Sequence, residues 1–269
     1  MLKILFIGDI IGKIGRETIK KLLPKIKKEE SPDLIIANAE NIAHGTGVTR
    51  DTLVELTVAG VNLFTAGDHA FKNSGQLDVY SDAKFSIIRP ANFSANAPGQ
   101  GYKIITLKNI NVLIINLIGR VFMAMDYDCP FRAIDEILAN IKHGIDRKKI
   151  SAIIVDIHAE ATSEKSAFKH YVDGRVSAVF GTHTHIMTAD PQITGLGTAY
   201  ITDVGMTGFA DGIIGIAKEN IIKTFLSQIK DKHEIPEEGR SIFNAVLAVI
   251  DPRTAKAVKI RPIIKHTEI

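Results

Sequence analysis

Five apolar runs along this chain each stop at residues of the kinds that bind metal ions. They end in Gly8-Asp9, Glu40-Asn41, Gly67-Asp68-His69, His158 and Gly181-Thr182-His183-Thr184-His185. Taken singly, each has an ordinary explanation. An aspartate after a strand's glycine is common turn chemistry, and a histidine at a strand end can simply be packed. Taken together they demand more, because carboxylates gathered without a cation would repel one another and shift their pKa values sharply. His183 and His185 are the strongest single signal. Residues two apart in an extended segment point the same way, so both imidazoles can face one site, and the glycine before them allows a tight turn. Carboxylates and imidazoles without a thiolate suit manganese, iron or zinc. Two such ions roughly 3.5–4 Å apart can share a hydroxide and clamp both the attacking and the leaving oxygen of a phosphoryl transfer.

The runs themselves define the frame that must hold these residues. Lys3–Gly8, Leu34–Asn38, Leu63–Ala66, Ala152–Asp156, Val176–Phe180 and Thr198–Thr202 are short and rich in β-branched residues. Runs of that kind predict strands buried on both faces. Helical spacing separates them, in Ile19/Leu22/Leu23/Ile26, Leu53/Leu56, Ile134/Ile137/Leu138/Ile141 and Ile221/Ile222/Phe225/Leu226. Pro24 is expected to kink or shorten the first of these helices. The alternation implies an α/β fold with parallel sheet, in which ligand sites form beyond the carboxyl ends of the strands. Hairpin-like segments around Lys108–Asn111 and Asp251–Thr254 add antiparallel strands, which a sandwich of two mixed sheets accommodates. Asp231–Arg240 reads as an exposed loop. Because the candidate ligands run from Asp9 to His185, residues 1–269 are expected to form a single domain.

Composition narrows the function classes. With 45% hydrophobic and 23% charged residues, the chain reads as an ordinary globular protein. The lone Cys129 excludes an intramolecular disulfide framework, fits a reducing compartment, and is expected to be a buried thiol. No stretch approaches the roughly 18 apolar residues of a membrane span, so a soluble, cytoplasmic protein is expected. A net charge of +3, with scattered lysines and no basic stripe interleaved with aromatics, gives no signal for nucleic-acid binding. Gly8-Asp-Ile-Ile-Gly12-Lys-Ile-Gly15 lacks the spacing of a dinucleotide-binding loop.

Longer motifs surround the candidate ligands: Leu5–Asp9 followed by Gly12 and Gly15-Arg16, Asn38–Gly45, Arg89–Phe93, His158–Lys165, Thr198–Gly208 and Asp211-Gly212. With the Gly-Asp, Gly-Asp-His and Gly-Thr-His-Thr-His segments, they resemble the calcineurin-like metallophosphoesterases, and more narrowly the bacterial YmdB-like subgroup. The resemblance runs from about residue 3 to the final strands. It implies a four-layer α/β/β/α sandwich with a dinuclear metal site at the strand C-terminal ends. It also implies hydrolysis of phosphodiesters, 2′,3′-cyclic nucleotides in particular, with iron or manganese as the metal. Carried over by motif, one ion takes Asp9, Glu40, Asn41 and His185, and the other takes Glu40 as a bridge with Asp68, His158 and His183. Asn41 fills a vacancy, since Ile11 stands where many relatives place a histidine ligand.

In this reading a metal-bridging hydroxide attacks, and His69, next to Asp68 but off the metals, protonates the departing alkoxide. Two departures stand out. Asp68 replaces the usual asparagine, and Ala70 replaces the acid or threonine that often follows the histidine. Arg89 and Arg120 each follow an apolar run and could hold a phosphate oxygen bidentately; His44 could line the mouth. The partners implied are small phosphodiesters or nucleotides, RNA ends included, and no membrane; a homo-oligomer is left open. A phosphomonoesterase with the same metals is the nearest alternative. A regulatory RNA- or protein-binding module that keeps metal without turnover is a more distant one.

Overall fold

Leu2, Ile4 and Phe6 point to one side of the first strand and Leu5 and Ile7 to the other, and all five are buried. That two-sided burial sets the architecture. The computed structural model describes residues 1–143 and 149–269. Its first half runs β1 (Leu2–Ile7), β2 (Asp9–Ile10), α1 (Gly12–Glu30), β3 (Leu34–Asn38), α2 (Arg50–Ala59), β4 (Leu63–Thr65), a 3-10 segment (Ser74–Tyr80), β5 (Tyr102–Leu107), β6 (Ile110–Ile118) and α3 (Pro130–His143). The second half runs β7 (Ile150–His158), α4 (Thr162–Val172), β8 (Ala178–Thr182), β9 (Gln192–Ile193), β10 (Ala199–Ile201), β11 (Met206–Phe209), α5 (Lys218–Ser227), β12 (Arg240–Asp251) and β13 (Lys256–Glu268).

One sheet has the order β2-β11-β12-β1-β3-β4, with β13 also paired to β12; the other has the order β5-β6-β7-β8-β10-β9. Both are mixed. β1, β3 and β4 are parallel to each other, as are β6, β7, β8 and β10, while β12 and β5 run antiparallel to their neighbours. Three cores separate four layers. Leu5, Ile7 and Ile35 pack under Ile19 and Leu23 of α1 and Leu53 of α2. Ile4, Phe6 and Ile36 meet Ile114, Ile154 and Phe180 between the sheets. Leu113, Val155 and Val179 pack against Ile134 of α3 and Phe168 of α4. The sandwich expected from the resemblance is therefore present, with the rings of Phe6 and Phe180 only 4.9 Å apart across its middle.

Four local readings change. α1 runs unbroken through Pro24, which sits on the exposed side of the helix, where solvent can take the hydrogen bond it cannot make. α5 forms where the spacing placed it, yet only Ile221 is buried; Phe225 and Leu226 face solvent. The hairpin turn is two residues, Lys108 and Asn109, both with positive φ, which matches the twist of the flanking strands. Cys129 is a free thiol but only partly buried. No helix among the described residues is long and apolar enough to cross a membrane.

Candidate metal centre

Parallel strands bring the ligand-bearing segments to one edge. β1 ends one residue before Gly8, where a Cβ would come within 1.8 Å of the Gly205 carbonyl, so only glycine lets the chain pass and set Asp9 into the interior. Asp9 is fully buried, and its Oδ1 has no hydrogen-bond partner. β3 delivers Glu40, whose backbone N–H donates to Asn38 Oδ1 at 3.1 Å. After β4 comes Gly67; a Cβ there would lie 2.1 Å from Glu40 Oε2 and 2.3 Å from His158 Nε2. That glycine is needed for close approach. His158 is the last residue of β7, and His183 follows β8.

Donor atoms from Glu40, Asp68, His158 and His183 lie within 4.8 Å of one another, and so do donor atoms from Asp9, Glu40 and His185. The two groups share Glu40. His158 Nε2 stands 3.0 Å from Glu40 Oε2, 3.2 Å from Asp68 Oδ1 and 3.0 Å from His183 Nδ1. Each imidazole is turned by what its other nitrogen touches. His158 Nδ1 lies 2.9 Å from Thr182 Oγ1, whose hydroxyl donates to Asp156 at 2.7 Å. His183 Nε2 is 3.1 Å from Glu160, and His185 Nδ1 is 3.1 Å from the Ile214 carbonyl. With one nitrogen donating outward, each ring keeps a lone pair for the centre, the arrangement typical of metal-ligating histidines. The orphaned Asp9 oxygen and the clustered lone pairs fit a pair of cations.

The segment between the histidines is not extended. β8 stops at Thr182, and His183 and His185 have φ of 97° and 63°, left-handed values that cost non-glycine residues about 1–3 kcal/mol each. They diverge, one to each donor group, instead of facing a common point. What holds them is Asp203, inside the Thr198–Gly208 motif. Asp203 Oδ2 accepts from the Thr184 N–H at 3.0 Å, the Thr184 hydroxyl at 2.7 Å and Lys165 Nζ at 2.9 Å. Lys165 also donates to the Thr182 carbonyl, and both ions are buried.

The electrostatics are those of a dense, buried cluster of carboxylates and imidazoles. Burial pushes the Asp9 carboxyl up to about 8. Burial also works against charge on Glu40, but His158 beside it prevails and brings that carboxyl down to about 2. Asp68 likewise opposes its burial through His158 and His183 and is held well below the usual carboxylate range. Burial would lower His158, yet Glu40, Asp68 and Asp9 hold it well above the usual imidazole value.

The other sequence candidates are placed as follows. Asn41 is buried, with Nδ2 at 2.9 Å from Glu40 Oε1 and 3.4 Å from His185 Nε2, and Oδ1 at 2.8 Å from His69 Nδ1. His69 is part-exposed, its Nε2 lying 3.7 Å from Asp68. Arg89 is buried, and its guanidinium donates to the carbonyls of Pro90, Ala91 and Ala97, which spends it inside a loop and does not present it to the metal ligands. Arg120 is exposed; its backbone N–H donates to Glu164. His44 is an exposed residue with φ of 52°. Thr182, Asp156 and Glu160 were missed in the sequence. The one signal available for them was position, since each lies within two residues of a candidate ligand histidine.

Residues 5–263 match the family of YmdB-like proteins. The chain is 42% identical over 263 residues to the 2′,3′-cyclic-nucleotide 2′-phosphodiesterase of Bacillus subtilis (strain 168), covering 98% of this chain and 97% of that one. A crystal structure of a phosphatase from Mycoplasma pneumoniae superposes with a TM-score of 0.90 at 35% identity, covering 99% of this chain and 94% of that one. A protein of Thermus thermophilus superposes with a TM-score of 0.89 at 36% identity, covering 98% of this chain and 99% of that one.

Proposed function

The chain belongs to the YmdB-like family of metallophosphoesterases, and from that premise we propose that it is a metal-dependent phosphodiesterase acting on nucleoside 2′,3′-cyclic phosphates in the cytoplasm. The observation that carries the reading is the pair of donor groups sharing Glu40. One group is Asp9, Glu40 and His185, completed by Asn41; the other is Glu40, Asp68, His158 and His183. Iron or manganese suits this oxygen–nitrogen set. When bound, the two ions supply Lewis acidity toward the phosphoryl oxygens and a water acidic enough to attack.

The chain's own residues do the rest. Asn41 would complete the donor set of the first ion with its carbonyl oxygen. Its oxygen has a second lone pair, which accepts from His69 Nδ1–H, 2.8 Å away. With Nδ1–H held in that way, the imidazolium form of His69 can give its Nε2 proton to the leaving alkoxide from the edge of the site and return to the neutral ring. Thr182 and Asp156, Glu160 and the Ile214 carbonyl keep the three ligand rings turned inward.

Steady-state kinetics on His69→Ala with a graded set of diesters checks this. We expect kcat to fall by ~10²-fold or more for alkoxide leaving groups, with metal content unchanged. The loss should shrink for p-nitrophenyl leaving groups, which depart without protonation. Equal losses across the set would remove His69 from the acid role. Faster hydrolysis of monoesters than of diesters by the wild type would favour a phosphatase instead.

A further inference from the structure

The Arg89–Phe93 motif contributes nothing to the metal ligands, and the structure shows what it builds. Arg89 ties the carbonyls of Pro90, Ala91 and Ala97 into a loop. Asn92 ties that loop to the next one, donating 2.7 Å hydrogen bonds to the carbonyls of Ile118 and Asp128 and accepting the Ile118 N–H at 2.9 Å. Phe93 stacks on Tyr127 with ring centroids 5.0 Å apart and planes 8° from parallel. Phe71 packs edge-on against Phe93 at 5.4 Å. Between the two loops lies a cavity of about 610 Å³ with Asp68 in its lining, so it opens directly onto the candidate metal centre.

Its walls are of two kinds. Phe71, Phe93, Met125 and Tyr127 offer flat or deformable apolar surface, and Met125 is 66% exposed, which is unusual for so apolar a side chain. Asp126 and Asp128 offer hydrogen-bond acceptors, and Lys72 is the one cation in the lining among the described residues. Carboxylates so placed repel a second phosphate but accept from exocyclic amines and ring N–H groups. A neutral, planar, donor-bearing group fits these walls, and the volume falls within the usual range for a small-molecule site.

We propose that this cavity receives the nucleobase of the nucleotide whose phosphate is cleaved, with Phe93 and Tyr127 as its aromatic wall. The proposal rests on the phosphodiesterase reading and specifies which end of the substrate carries recognition. Base-on-aromatic stacking tolerates any base, so the cavity selects for the presence of a base more than for its identity.

The test compares adenosine 2′,3′-cyclic phosphate with ribose 2′,3′-cyclic phosphate, which has no base, using metal-loaded wild type, Tyr127→Ala and Tyr127→Phe. The wild type should favour the nucleotide by at least about fivefold in kcat/KM, mostly through KM, and Tyr127→Ala should narrow that preference while Tyr127→Phe restores it. Met125→Ala, at an exposed position that does not threaten folding, should narrow it as well. Equal kcat/KM for the two substrates in the wild type would overturn the proposal. So would a Tyr127→Ala loss of equal size on both. Should the wild type cleave neither compound, the phosphodiesterase reading fails on its own, and adenosine titrated against methionine-methyl NMR signals then decides the cavity. A saturable shift at Met125 would support it, and no shift would overturn it.

Discussion

At the scale of single residues, Asp68 places a full charge where the resemblance leads one to expect an amide. Its Oδ1 faces His158 at 3.2 Å, so it points into the donor group and not out toward Lys72. Three carboxylates against two divalent ions leave the centre at about +1, and an asparagine would raise that to about +2, where the ions dominate the local field. Asp68→Asn should therefore loosen the ion shared with His158 and His183, yet lower KM for a diester at saturating metal. Metal titration of the two forms checks the first half; unchanged affinity would mean that Asp68 is no ligand. The candidate donors were legible in sequence because each follows an apolar run. The carboxylates and hydroxyl that turn the rings were not, because Asp156, Glu160 and Thr182 look like ordinary polar residues until the fold puts an imidazole against them.

At the scale of elements, the first turn of α4 does two jobs that its sequence does not announce. Glu164 accepts the backbone N–H groups of Arg120 and Val121, fixing the loop that leads to the cavity. Lys165, one residue on, holds Asp203 and through it the left-handed stretch bearing His183 and His185. Neither residue touches a proposed ion. Removing Lys165 leaves a buried carboxylate unpaired, so Lys165→Met should cost about 3–5 kcal/mol in denaturant unfolding. Because the two histidines serve different donor groups, both metal affinities should fall together. Glu160→Gln, which touches only His183, should instead weaken one site, by about 10–100-fold. Calorimetric titration that showed one site lost in both variants would refute the coupling through Asp203. The longer strands were readable from apolar runs, whereas the short β2, β9 and β11 were not. The loop geometry was not, since a period-2 argument cannot foresee two consecutive-but-one histidines at positive φ.

At the scale of the whole molecule, each donor group takes ligands from both sheets. Asp9, Glu40 and Asp68 lie in or just after strands of the first sheet, whereas His158 ends β7 of the second and His183 and His185 follow its β8. Bound ions would thus join the two halves across the same interface that Phe6 and Phe180 pack. A ligand present at 100 times its Kd adds about 2.7 kcal/mol, so two ions should add roughly twice that to global unfolding. The signs of the titrations sharpen this expectation. Asp9 and His158 both bind protons more tightly in the folded, metal-free chain than in the unfolded one. A raised folded pKa gives stability that is complete below the unfolded value and lost as pH rises, at about 1.4 kcal/mol per pH unit for each proton. Glu40, depressed to about 2, has completed its contribution well below neutrality and does not offset the trend. The chelated protein should therefore weaken between pH 6 and 8, while ions bind more firmly because fewer protons stand in their way. The stability gap between metal-loaded and chelated protein should widen over that range, in one cooperative transition. Urea unfolding at pH 6, 7 and 8 with and without chelator measures it. A gap that stays constant, or metal that protects only part of the chain, would show that the ions do not join the sheets.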